Sequence, residues 1–179
     1  LLGLPAKERI TGVDLADKLL RRAGEQGKSV YLLGAKEEVV SALAQKLKAQ
    51  YPQMEVRYKN GYGKDKDADF RDIEAFQPDL VLVALGVPAQ EKLIARHLGN
   101  FSKGVFIGVG GSFDGLSGSK RRAPALFVKT NTEWLYRILR EPSRLGGVYR
   151  DNIKILGEGR KEGKGERAAL PPGLWIFSA

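Results

Sequence analysis

The segment DLVLVALG, residues 79–86, constrains this chain most, because it runs apolar without alternation and closes on glycine. A strand with one wet face alternates, whereas one that is apolar throughout must be covered on both faces. Its neighbours supply the cover. A polar helical pattern precedes it over residues 67–76, ended by Pro78, and Pro88 begins another helical stretch to about His97. The same alternation holds on either side. SVYLLGA (29–35) is a short β-rich run, residues 37–50 place Val40, Leu43, Ala44 and Leu47 on one helical face, MEVRYKNGYG is a second strand with a glycine turn, and GVFIGVG from Gly104 is a fourth. Ahead of them Val13, Ala16, Leu19, Leu20 and Ala23 recur at helical spacing; Thr11 and Asp14 stand at capping-box spacing and Gly27 closes the segment.

Strand and helix therefore alternate, with crossovers long enough for parallel pairing. The fold predicted for residues 1–125 is a doubly wound, mostly parallel, Rossmann-like α/β sheet. TNTEWLYRILREP then predicts a helix with Trp134, Leu135, Ile138 and Leu139 on its apolar face and Pro142 at its end. This makes residues 126–156 a basic helical C-terminal appendage. Residues 157–179 are expected to be a disordered tail, since GEGRKEGKGER is of low complexity. Trp175 and Phe177 near its end fit either a membrane-interface anchor or an unstructured terminus.

The 179 residues contain no cysteine, which excludes disulfides, thiolate zinc sites and cysteine nucleophiles and fits a reducing, cytoplasmic setting. The single histidine, His97, builds no histidine metal cluster and reads as structural. No apolar run approaches the roughly 18–20 residues of a membrane span. Net charge is +9, and residues 120–167 hold 13 Lys and Arg against 6 Asp and Glu. Such a basic third points to a phosphorylated ligand, a polyanion or an anionic membrane surface. The chain opens on Leu1 in mid-pattern, so an upstream part is expected; apolar surface bared there would favour a homo-oligomer.

In a doubly wound sheet, ligands bind beyond the carboxyl ends of the strands. Here these are residues 34–35, 61–62, 85–87 and 109–114. The last opens GVGGSFDGLSGSKRRAP (108–124), which fails the Walker register, and Phe113 occupies the third glycine position of a dinucleotide fingerprint. Two readings stay open. In one, Gly110 and Gly111 bring backbone N–H groups to an anion, a following helix adds its dipole, Asp114 accepts from ribose hydroxyls, and Lys120, Arg121 and Arg122 neutralise phosphate. In the other the segment is a tight turn, with Asp114 as a helix cap and a solvated basic face. LGVPAQEKLI places Gln90 and Glu91 in the first turn after the buried strand: a neutral amide for a sugar or phosphate, and an N-terminal helix charge. ERITG sets Arg9 before a helix start, as a diphosphate clamp or a surface ion pair.

In this order over residues 9–145, ERITGVDL, LGVPAQE, VGGSFDGLSGSKRRAP and EWLYRILREPSRL resemble the WecG/TagA/CpsF glycosyltransferases, glycosyltransferase family 26. The resemblance implies inverting transfer of N-acetylmannosamine or a related sugar from a UDP-sugar to an undecaprenyl-diphosphate-linked acceptor, without a metal or other cofactor. The products would be wall teichoic acid, enterobacterial common antigen or exopolysaccharide. It also implies a site: Asp114 at the ribose, Tyr62 against uracil, Gly110 and Gly111 in the same pocket, and Arg9 and Gln90 as catalytic groups facing diphosphate and sugar. Arg137 and Arg144 would belong to an appendage that closes on the site and docks it, as a peripheral protein, on the anionic inner face of a bacterial plasma membrane. The family's general base is an aspartate in an N-terminal PDG-type motif, which this sequence lacks. Asp14, Glu91 and Asp114 are the nearest carboxylates, and none matches. No resemblance extends beyond Asn152.

Three rivals remain. A nucleic-acid protein would interleave aromatics with its cations, which this chain does not do, so no nucleic-acid partner is expected. An NAD enzyme would keep the dinucleotide fingerprint. A UDP-binding fragment without catalysis differs from the enzyme only by a segment upstream.

Overall fold

A computed structural model of the protein describes residues 12–118 and 174–178. The chain divides into two units, Leu1–Lys120 with Leu170–Ala179 and Arg121–Ala169, and every described residue belongs to the first. The predicted appendage, with Arg137 and Arg144, lies outside the described residues, as do Arg9, Thr11 and the cations Lys120, Arg121 and Arg122.

The described strands are β1 (Ser29–Gly34), β2 (Glu55–Lys59), β3 (Leu80–Ala84), β4 (Gly104–Gly108) and β5 (Leu174–Ser178). They form one sheet in the order β2-β1-β3-β4-β5, with every pairing parallel. Successive side chains of a strand point to opposite faces. In β1, Val30 and Leu32 enter one core while Tyr31 and Leu33 enter the other; in β3, Leu80 and Leu82 divide in the same way from Val81 and Val83. All eight are buried, as a run without alternation demands.

Helices α1 (Gly12–Glu25), α2 (Glu37–Gln50) and α5 (Ser112–Leu116) cover the first face. The second is covered by α3 (Lys66–Phe76), α4 (Ala89–His97) and the 3-10 turn Leu98–Asn100. Ala16 and Leu20 of α1 and Val40, Leu43 and Leu47 of α2 supply the apolar stripes that the helical spacing predicted. Each fully buried aliphatic side chain stabilises by about 1.5–3 kcal/mol. Phe113 of the short α5 is fully buried too, and Phe113→Ala would cost about 3–5 kcal/mol.

Helix α3 starts where Asp65 accepts a hydrogen bond from the Ala68 N–H at 2.9 Å, an N-cap three residues from its partner. It ends at Gln77, in the left-handed conformation, whose Nε2 donates to the Glu74 carbonyl at 2.8 Å.

From β1 the chain moves outward to β2 through α2 on one face. It then returns past β1 to β3 through α3 on the other. The winding reverses between β1 and β3, where open α/β sheets hold ligands. The two strand ends are pinched together there. A Cβ on Gly34, the last residue of β1, would lie 2.4 Å from the Ala84 carbonyl oxygen, so only glycine fits.

One element differs from expectation. Residues 157–179 are predicted as a tail without structure, yet Leu174–Ser178 pair in parallel with β4. The physical reason is local and global at once: LWIFS is rich in strand-favouring residues, and β4 without it would be an open edge. Among the described residues no helix is long and apolar enough to cross a membrane.

Candidate functional site

The four turns after β1, β2, β3 and β4 form the carboxyl rim. Two apolar side chains stand exposed there: Tyr62 after β2 (73%) and Val87 after β3 (53%).

Gln90, in the first turn of α4, is fully buried. Its Oε1 accepts from the Gly110 N–H at 3.1 Å, and its Nε2 donates to Glu91 Oε1 at 2.8 Å. The backbone of β4 makes room for it, since a Cβ on Gly108 would lie 2.5 Å from Nε2. Two motifs read separately in the sequence thus meet in one hydrogen bond. The amide holds the glycine loop after β4 against the start of α4.

In that loop Gly110 is left-handed (φ 50°), Gly111 is exposed, and the Val109 carbonyl accepts from both the N–H and the hydroxyl of Ser112. Asp114, partly exposed, follows in the first turn of α5. The structure therefore gathers Gln90, Gly110, Gly111 and Asp114 at one end of β3 and β4. Tyr62 is set apart, because β1 and β3 lie between the turns that follow β2 and β4. Three strand spacings make that separation about 14 Å at the strand ends. A ligand that touched both turns would have to extend along the rim.

Of the carboxylates considered for proton transfer, Asp14 sits in the first turn of α1 and Glu91 serves as acceptor for Gln90. Among the described residues no three His, Cys, Asp or Glu side chains gather as metal ligands would.

Sequence reasoning missed the buried charge. Asp69 of α3 is only 2% exposed, with Lys59 Nζ at 2.9 Å and Lys66 Nζ at 3.5 Å. The hydrogen bond and charge of Asp69 raise the pKa of the Lys59 ammonium above its ordinary value. The only available signal was a pair of lysines flanking an Asp-rich helix start, which looks the same as a solvated face. His97 is structural, as expected, and its surroundings say how. It stacks on Phe70, with Nε2 2.7 Å from Asp67 and Nδ1 2.9 Å from Glu74, which ties α4 to α3. The hydrogen bonds from His97 and Arg96 lower the pKa of Asp67. Burial pushes Glu74 upward, but bonds from Asn100 and His97 outweigh it and leave that pKa lowered as well.

Comparison with known proteins identifies the family. The model of the glycosyl transferase WecG/TagA/CpsF family matches residues 1–168, so the likeness runs past Asn152, where the motifs alone end it. The N-acetylglucosaminyldiphosphoundecaprenol N-acetyl-beta-D-mannosaminyltransferase of Bacillus spizizenii is 40% identical over 145 residues, 80% of this chain and 56% of the relative. Its namesake in Bacillus subtilis is 40% identical over 139 residues (77% and 54%), and that of Staphylococcus aureus strain MW2 is 38% identical over 143 (79% and 56%). The chain thus spans about half the length of the curated relatives it matches. The parallel sheet, the glycine loop and the Gln90 turn stand where the ordered motifs placed them, and with a match over most of its length the chain belongs to the WecG/TagA/CpsF family of glycosyl transferases.

Proposed function

We propose that the carboxyl rim is the donor side of an inverting glycosyltransferase site. It would bind a UDP-sugar and present N-acetylmannosamine to an undecaprenyl-diphosphate-linked N-acetylglucosamine. The observation that carries this reading is the bond between Gln90 and the Gly110 N–H, which sets the glycine loop of one motif against the helix start of another at the strand ends.

On this reading Asp114 accepts from the ribose hydroxyls and Gly111 offers backbone to the diphosphate. Gln90 acts by fixing the loop, since both ends of its amide are engaged within the protein. Departure of UDP leaves negative charge on the diphosphate, which fixed N–H dipoles and arginines stabilise without reorganising. Arg9 is proposed for that charge; Arg137 and Arg144 are proposed for closure over the site and contact with an anionic, cytoplasm-facing membrane surface. The acceptor lipid and the net positive charge of residues 120–167 support peripheral attachment there. A second reading, binding of the donor without transfer, is favoured by the lack of a PDG motif in the 179 residues.

Calorimetric titration with UDP, against ADP and NAD, tests the donor site. UDP-selective binding that Asp114→Ala abolishes is the expected result; equal binding of ADP or NAD, or an unaffected Asp114→Ala, sinks it. Product formed from UDP-N-acetylmannosamine and the lipid-linked acceptor then separates transfer from binding alone.

A further inference from the structure

The turn between β2 and α3 is held more firmly than an exposed loop needs to be. The Gly61 N–H donates to the Ala35 carbonyl at 2.8 Å, which fastens the turn to the end of β1. The Tyr62 N–H donates to Asn60 Oδ1 at 3.0 Å, and Asn60 Nδ2 donates to Glu37 Oε2 at 2.9 Å, a tie to α2. From the other side Lys66 Nζ donates to the Gly61 carbonyl at 2.7 Å while lying 3.5 Å from Asp69. Asp69 also takes Lys59, the last residue of β2, and the Gly63 backbone passes so close that a Cβ there would lie 3.3 Å from Oδ2.

Lys59 meets Oδ1 closely, whereas the buried Oδ2 accepts no hydrogen bond and has Lys66 only at ion-pair distance, so the carboxylate holds both ends of a single turn by charge at a cost in burial. Yet the side chain at the crest of that turn, Tyr62, is the most exposed large apolar group among the described residues. A fixed backbone under an exposed ring is what a stacking surface requires, because a ring already in place loses little freedom on binding.

We propose that Asp69 is a positioning residue for nucleotide binding. Through Lys59 and Lys66 it presets the turn at residues 60–63, so that Tyr62 stands as a platform for the uracil ring at the rim. The inference deepens the donor-site reading and rests on it. Asp69 touches no ligand; it acts through the place it gives Tyr62.

A double-variant cycle read by UDP titration tests this. Tyr62→Ala lowers UDP affinity by roughly fivefold to a hundredfold, the range for loss of one base–aromatic stack. Asp69→Asn, nearly equal in shape, lowers it about twofold to tenfold, the cost of ordering one side chain on binding. In the Tyr62→Ala background Asp69→Asn has no further effect, since the platform it places is gone. Pyrophosphate, which has no base to stack, binds equally well to every variant. Lys66→Met repeats the cycle from the other side of the ion pair, and decides the matter alone if Asp69→Asn lowers the melting temperature too far for titration. Additive losses in the double variants, or unchanged UDP affinity in both Asp69→Asn and Lys66→Met, overturn the inference while leaving the donor site standing. Failure of the unaltered chain to bind UDP overturns both.

Discussion

At the amino rim of the sheet, Asp79 stands one residue before β3 with its carboxylate filled by the protein's own donors. Ser29 gives Oδ2 its N–H at 3.0 Å and its hydroxyl at 2.9 Å, while Lys103 Nζ reaches Oδ1 at 3.0 Å. At the carboxyl rim, Asp114 stands in a first helical turn, partly exposed, beside a glycine loop, with an exposed tyrosine on the same rim. In sequence both are an aspartate beside an apolar strand. Burial raises the Asp79 pKa, but the Ser29 N–H, the Lys103 ammonium and the Ser29 hydroxyl outweigh it and bring it to about 2. A carboxylate filled in this way ties strands together. The proposed donor site puts Asp114 to a different use, as an acceptor for a ligand at the carboxyl rim.

The sharpest way to break the contrast is at the glycine loop after β4, which one neutral side chain, Gln90, ties to the start of α4. Gln90→Ala leaves a cavity and strips the Gly110 N–H of its acceptor, at about 3 kcal/mol in urea unfolding. Gly108→Ala, which forces a methyl into the amide, costs about 2 kcal/mol. The two together should cost less than their sum, because the cavity of one receives the methyl of the other. Simple additivity would mean that the loop is held by something else.

Asp79→Ala comes next, with a loss of about 2 kcal/mol at neutral pH and no change in UDP binding. The folded pKa of about 2 lies below the roughly 3.9 of an unfolded aspartate, so the stabilisation is full above about pH 5 and disappears as pH falls through 2. Urea unfolding at pH 7 and pH 2 should show the variant and the unaltered chain converging in acid. A gap that persists at pH 2 would assign the effect to packing.

The smallest expected change in stability is at Asp114→Ala, below about 1 kcal/mol, as for a substitution away from the core. Its signature is the reverse of the Asp79 variant: UDP binding falls while the unfolding midpoint holds. If Asp114→Ala destabilised the fold as much as Asp79→Ala, the two carboxylates would do the same job and the contrast would fail.

Much of the fold was legible in advance for a simple reason. Burial on both faces removes alternation from β1 and β3, and the stripes of α1 and α2 follow from one covered side. The short β5 escaped notice because its five residues carry no periodicity of their own, and the edge of β4 that pairs with them lies far away in sequence. At the site, glycines and an amide at strand ends were visible as types. Their engagement was not: the bond from Gly110 to Gln90 spans 20 residues. Nor could spacing separate the buried Asp69 from its exposed neighbours Asp65 and Asp72, since all three belong to one acidic stretch.

By itself, then, the sequence determined the class of sheet, the limits of most elements and the rim at which the glycine loop would stand, because periodicity and turn chemistry are local. Tertiary structure alone decided that Gln90 faces inward to hold that loop, that Asp69 is buried beneath the turn of Tyr62, and that the donors of Ser29 and Lys103 converge on Asp79. The physical reason is that the environment of a polar group is made by chain segments distant in sequence, and that environment decides whether the group braces the fold or meets a ligand.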